Sequence, residues 1–210
     1  MHRRGPAGHH TMRVKEAGGL GKLDIPAQKA MAALVPCYHS SMGNVTEVIY
    51  LDEEPVVIPR TIKTVLKNTA REYAVDLGAS RKKYAEILGC RRAVPLPINP
   101  DTILMPLKMR EVISKNDSCR GYINYLAVRD VTEAGRTHSL VILKDGRALK
   151  CMHSIKNVNQ HLRNCHFLYQ RINGASELNT NNAVDYLNYP ATKSDIAMLL
   201  KEIRELREKL

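Results

Sequence analysis

Lys144-Asp145-Gly146-Arg147, set between Leu143 and Ala148, constrains the fold of this chain more than any other stretch. An Asp-Gly pair supplies the positive φ that a tight hairpin needs, so the flanking runs must pair as antiparallel strands. Those runs are Ser139 to Leu143 and Ala148 to Met152. Directly afterwards the hydrophobic period changes from two to 3.6. Ile155, Val158, Leu162, Cys165, Leu168 and Ile172 share one helical face. Ser154 stands where an N-cap belongs, and Asn173-Gly174 ends the pattern. Strands leading into one long amphipathic helix predict an α+β domain, a strand-rich mixed sheet with a packed helix.

Upstream, Thr46 to Leu51 alternates and is β-branched, which predicts a strand. Asp52 to Pro55 is a turn, and Val56 to Ile58 a short strand closed by Pro59. Thr61 to Ala74 reads two ways. Ile62, Val65, Leu66 and Thr69 have helical spacing, while the β-branched content favours a strand. Gly78-Ala79-Ser80 predicts a break, with Ser80 capping a short helix from Arg81 to Leu88 and Gly89 ending it. Ala93 to Ile98 and Thr102 to Leu107 are extended runs around an Asn99-Pro100-Asp101 turn. Their prolines, Pro95, Pro97 and Pro106, lack an amide donor and predict strands that lie at sheet edges or are irregular. Gly121 to Val131 alternates as one strand.

The two ends read differently. Residues 1–43 are rich in Gly, Ala, His, Arg and Lys and predict a flexible basic tail, with Met42 an alternative start. Gly18 to Lys22 resembles the end of a phosphate-binding loop, but Glu16 replaces its first glycine and Leu23 its magnesium-binding hydroxyl. Ala30 to Val35 is too short for a signal core, and Pro36 spoils a lipoprotein site before Cys37. Residues 44–174 form the predicted folded domain, and the asparagine-rich stretch 175–191 a linker. Residues 192–210 predict an amphipathic helix resembling a coiled coil. Ile196, Leu199, Ile203, Leu206 and Leu210 step by three and four, a seam for a second copy of the chain or for the chain's own core. The expectation is an oligomerisation helix in a homo-oligomer.

Charge decides the class of partner. The chain carries a net +11. Arg60 to Arg120 holds thirteen Lys and Arg against six Asp and Glu, a local net charge of +7. Cations that neutralise phosphates release condensed counterions, which makes a nucleic acid the expected partner; an anionic membrane surface is the rival. Arg81, Arg91 and Arg92 are the candidates for entering a DNA groove. Lys82, Lys83, Lys108, Arg110 and Lys115 suit phosphates, and Arg120 completes the cluster. One phenylalanine and no tryptophan argue for duplex rather than single-stranded nucleic acid.

Other classes fare worse. No apolar run approaches the ~20 residues of a membrane span. Five cysteines, an odd number with no Cys-x-x-Cys pair, fit reduced thiols and a cytoplasmic location. Cys151, His153, His161 and Cys165 lie close in sequence but match no common zinc spacing, so buried thiols rather than a metal are expected. No nucleophile elbow, His-Glu-x-x-His or dinucleotide loop occurs, so no catalytic residue, cofactor or small-molecule substrate is expected.

The middle of the chain resembles the competence transcription factor (ComK) family. The resemblance rests on Ser80-Arg81, then Pro95-Leu-Pro-Ile98, Ile103-Leu-Met-Pro106, Cys119 with Gly121-Tyr122-Ile123, Lys144-Asp-Gly146, and Ser154 to Gln160, in that order. It covers about Thr46 to Ile172. Tyr122 stands where that family has tryptophan, and Arg120 adds a residue before it. The resemblance implies oligomeric binding to A·T-rich promoter DNA and activation of DNA-uptake genes. The strand, Asp-Gly, strand, Ser, helix order also suits a LytTR-like regulator, although that class's closing Arg, His and Ser pattern is missing. A non-enzymatic structural protein assembling through its last helix is the remaining alternative.

Overall fold

A computed structural model describes residues 31–173 and 193–208. The predicted linker, Leu210 and the first thirty residues lie outside them. Among the described residues nine strands form two sheets, and four α-helices complete an α+β fold. Every strand pairing is antiparallel, so the expected mixed sheet is instead two antiparallel ones. The larger sheet has the order β3-β2-β1-β6-β5-β4. Its strands are β1 (Met31–His39), β2 (Gly43–Tyr50), β3 (Val56–Ile58), β4 (Leu96–Asn99), β5 (Thr102–Lys108) and β6 (Arg120–Asn124). The smaller sheet is β7 (Val128–Glu133), β8 (Ser139–Leu143) and β9 (Ala148–Cys151).

The large sheet is covered on both faces. One face packs Leu34, Val48, Tyr50, Ile58, Leu96 and Leu104 against Ile62, Val65, Leu66 and Ala70 of helix α1 (Ile62–Glu72). The other packs Ala33, Ile103, Met105, Leu107 and Ile123 against the small sheet and against helix α3 (Ile155–Asn173). This explains the unbroken apolar run of β5, since a strand buried on both sides needs no polar alternation.

The expected tail boundary at residue 43 is corrected: β1 lies inside it, as an interior strand between β2 and β6. Ala32, Ala33 and Leu34 have no exposed surface. A chain starting at Met42 would lack this strand and leave facing edges of β2 and β6 unpaired. The proline rule holds for β4, which is an edge strand, and fails for β5, which is interior. The reason is local. β4 pairs only as far as Leu104, so at Pro106 the ladder exists on the β6 side alone, opposite Tyr122.

Gly121 to Val131 is not one strand. Between β6 and β7 a 3₁₀ turn, Tyr125–Ala127, carries the chain from one sheet to the other. Asn124 makes this corner. Its buried side-chain amide donates to the carbonyls of Met31 (3.1 Å) and Asp101 (3.0 Å). Its oxygen accepts from the amides of Ile103 and Leu126, both at 3.2 Å. The β8–β9 hairpin forms as expected, with Gly146 at φ +88° and its amide 2.9 Å from the Leu143 carbonyl. Arg147 ties that hairpin to the end of β2 through Asp145 and the carbonyls of Tyr50 and Glu53.

Helix α3 buries Val158, Leu162, Cys165 and Leu168 of its predicted face, and leaves Ile172 exposed. Helix α4 (Lys193–Arg207) follows after the residues outside the description. No helix among the described residues is long and apolar enough to cross a membrane.

Candidate nucleic-acid interface

The ambiguous stretch after Thr61 is helix α1, because Ile62, Val65, Leu66, Thr69 and Ala70 fall on one face and that face closes the core. The same periodicity sends Lys63, Lys67 and Arg71, at i, i+4 and i+8, along the exposed side. A turn of four residues follows, with Ala74 at φ +54°. Helix α2 (Leu77–Leu88) then begins four residues earlier than the start at Arg81 that Ser80 predicts. Its cap is Asp76, whose carboxylate accepts from the amides of Gly78 (2.7 Å) and Ala79 (3.0 Å). Those bonds hold the Asp76 carboxyl below its usual pKa, so it is ionised and committed to the helix end. Gly89 ends α2 in the left-handed region, as expected.

Only Leu88 of α2 is buried, which leaves Arg81, Lys82 and Lys83 on an outer surface. Between α1, the start of α2 and β6 lies a groove of about 710 Å³. Ile62, Leu66 and Ala70 supply its apolar lining, and Tyr122 and Ser118 approach from the sheet side. Lys63, Lys67, Arg71 and Arg81 also line it. None of these four cations is ion-paired to an acidic side chain among the described residues. Lys63 donates to the Asn116 carbonyl at 3.3 Å, which brings the loop after β5 beside α1.

The other predicted cations fall in separate places. Lys115 is exposed on that loop, which Asp117 pins by accepting from Tyr38 (2.6 Å) and Asn44 (2.8 Å). Arg91 and Arg92 are exposed beyond the far end of α2, about two helical turns from Arg81. Lys108 faces Arg120 across the β5–β6 ladder and pairs with Glu111 at 2.9 Å. Both lie near His153, whose pKa is lowered by burial first and then by these two charges.

Arg110 has a different task from the phosphate contact expected of it. It donates to the Ser118 carbonyl (3.0 Å) and to Asn44 (2.8 Å), with its guanidinium carbon 4.0 Å from the centre of the Tyr38 ring. It braces the loop from inside. The sequence reading also missed Lys63, Lys67 and Arg71. Their spacing repeats that of Ile62, Leu66 and Ala70 one residue on, and reads as a stripe once the segment is taken as helix.

A model of the ComK protein family matches residues 27–177. The chain belongs to the ComK family. The matched span takes in both sheets and α1 to α3, and α4 lies beyond it. No curated protein and no solved structure matches the chain. Family membership points to a role as a competence transcription factor.

Proposed function

We propose that this chain is a DNA-binding regulator of transcription that grips duplex DNA with the α1–α2 face. The observation that carries the reading is the convergence of Lys63, Lys67, Arg71 and Arg81 on one groove, free of acidic partners among the described residues. Cations without ion pairs break no charge pair on meeting phosphate, and each releases counterions from the duplex. Lys63, Lys67 and Arg71 rise along α1 at about 6 Å intervals and so present a row of three charges along one side of the helix. Lys82, Lys83 and Lys115 are exposed and are the candidates for further phosphate contacts. Arg81, Arg91 and Arg92 are the side chains for a narrow A·T-rich minor groove, where negative potential is strongest. The promoters are those of competence and DNA-uptake genes, and the regulator activates them.

Mobility shift on A·T-rich and G·C-rich duplexes across a salt series tests this. The expected result is tighter binding to A·T-rich duplex and a steep loss of affinity as salt rises. Equal, salt-insensitive retention of both duplexes, or none at low salt, overturns it. A genomic footprint then places the operators.

A further inference from the structure

Two cysteines far apart in sequence fall opposite one another where β1 passes the start of β6. Leu34 of β1 faces Tyr122 of β6 in antiparallel register. Three residues forward from Leu34 is Cys37, and three residues back from Tyr122 is Cys119. The same register therefore sets Cys37 against Cys119. The two segments stay together past the last ladder pair. A Cβ placed on Gly121 would lie 2.9 Å from the Leu34 carbonyl. On the other side of the cysteines, the Tyr38 hydroxyl donates to the Asp117 carboxylate at 2.6 Å. Arg110 stacks on Tyr38 and donates to the Ser118 carbonyl at 3.0 Å. Contacts on both sides thus bracket the pair.

Face and spacing agree with this. Leu34 and Tyr122 belong to the core under α1, and Ala33 and Ile123 to the opposite core. Side chains alternate along a strand, so Cys37 and Cys119 share the Ala33 and Ile123 side. The Cys119 carbonyl accepts from the Met109 amide at 2.8 Å, toward β5. Amide and carbonyl of one strand residue point the same way, so toward β1 Cys119 is a non-hydrogen-bonded position. Opposed Cα atoms come closest at such positions, about 4.5 Å, inside the roughly 4.4–6.8 Å that a disulfide spans. Both thiols are free and partly exposed. Cys151 and Cys165 have no exposed surface, and Cys90 stands apart, just past the end of α2.

We propose that Cys37 and Cys119 form a reversible oxidation site, which closes to a disulfide when a low-molecular-weight disulfide such as glutathione disulfide serves as oxidant. Burial first, and then the Glu47 carboxylate, push the Cys37 thiol up, so Cys37 is slow to open the exchange and Cys119 opens it. Cys119 attacks one sulfur of the small disulfide, and the small thiol that leaves takes the Cys119 proton. Cys37 then attacks the Cys119 sulfur of the mixed disulfide, and the second small thiol leaves with the Cys37 proton. Two protein thiols are oxidised, and one small disulfide is reduced to two thiols. The bond adds a covalent tie where Arg110, Tyr38 and Asp117 already brace the loop between β5 and β6, the loop that carries Lys115. The proposal stands apart from the DNA reading, since it is measured without DNA.

Incubation of the folded, reduced full chain with glutathione disulfide, followed by mass spectrometry, tests it. The expected product is a single chain lighter by two hydrogens. Its unreduced tryptic digest should link residues 30–60 to residues 116–120, and dithiothreitol should separate them. Cys37→Ser should stop at the glutathione adduct on Cys119, while Cys90→Ser should close as the wild type does. Hydrogen exchange of the loop amides should slow on oxidation. A chain that loses no hydrogens, a bond to any other cysteine or between two chains, or a bond that forms only in urea overturns the proposal. Loop exchange that oxidation leaves unchanged overturns the bracing role of the bond.

Discussion

Acidification through the range where histidine titrates should destabilise this protein, and His161 carries the largest single share. Its ring sits 5.4 Å from that of His153, edge to face. Its Nδ1 is buried without a hydrogen-bond partner. Burial first, then the charges of His153 and Arg120, push its pKa from 6.5 down to about 4. Between those two values the unfolded chain binds a proton that the folded chain refuses. Stability is therefore full above the unfolded pKa, falls as pH drops through the window, and levels off below the folded pKa. At pH 5 linkage gives a loss of about 2 kcal/mol relative to neutral pH from this one group. The pKa of His153 is lowered as well, by burial and then by Arg120 and Lys108, so its contribution has the same sign. Urea unfolding followed by circular dichroism at pH 7 and pH 5 measures the effect, and about 2 kcal/mol corresponds to a midpoint shift of roughly 1 M. His161→Leu keeps similar bulk and cannot titrate. Its pH dependence should be shallower by about 2 kcal/mol over that interval. If wild type and variant lose stability in parallel, the assignment of the acid sensitivity to His161 is wrong.

Three further substitutions separate structural from binding roles. Gly121 lies where β6 passes closest to its neighbours; an added Cβ would meet the Leu34 carbonyl at 2.9 Å and the Met109 sulfur. Gly121→Ala should therefore lower stability by about 1–3 kcal/mol in urea unfolding. Arg110→Ala should lower stability by about 1–3 kcal/mol, because it releases the loop that Asn44 and Ser118 hold. Lys115→Ala on the same loop should leave stability within about 0.5 kcal/mol and weaken duplex binding in a titration, since Lys115 is exposed. Equal stability losses for the two would show that Arg110 is not a brace.

How much of this was legible in the sequence depends on how local the cause is. The β8–β9 hairpin and α3 follow from residues within each element, and the structure reproduces them. β1 was hidden in part because one of its two partners, β6, lies some ninety residues away, at Ile123 and Tyr122 opposite Ala33 and Leu34. Two alanines near its start also carry a weak strand signal. The break between β6 and β7 depends on Asn124 bonding to Met31 and Asp101, contacts that no local pattern reveals. In α1 the β-branched residues opposed the helical spacing, and burial against the sheet decided it. That one ambiguity concealed Lys63, Lys67 and Arg71. Arg110 misled for a related reason. A cation that braces a loop and a cation that waits for phosphate look alike until Tyr38 and Asn44 are placed beside it.

The salt dependence of duplex binding, compared between wild type and a Lys63→Gln, Lys67→Gln, Arg71→Gln variant, bears most directly on the α1–α2 face. These three side chains are exposed and on one stripe, so the variant keeps the fold. The slope of log affinity against log salt should become shallower by about 3 per bound protomer, with weaker binding at every salt concentration. An unchanged slope would place the DNA elsewhere on the molecule and contradict the account.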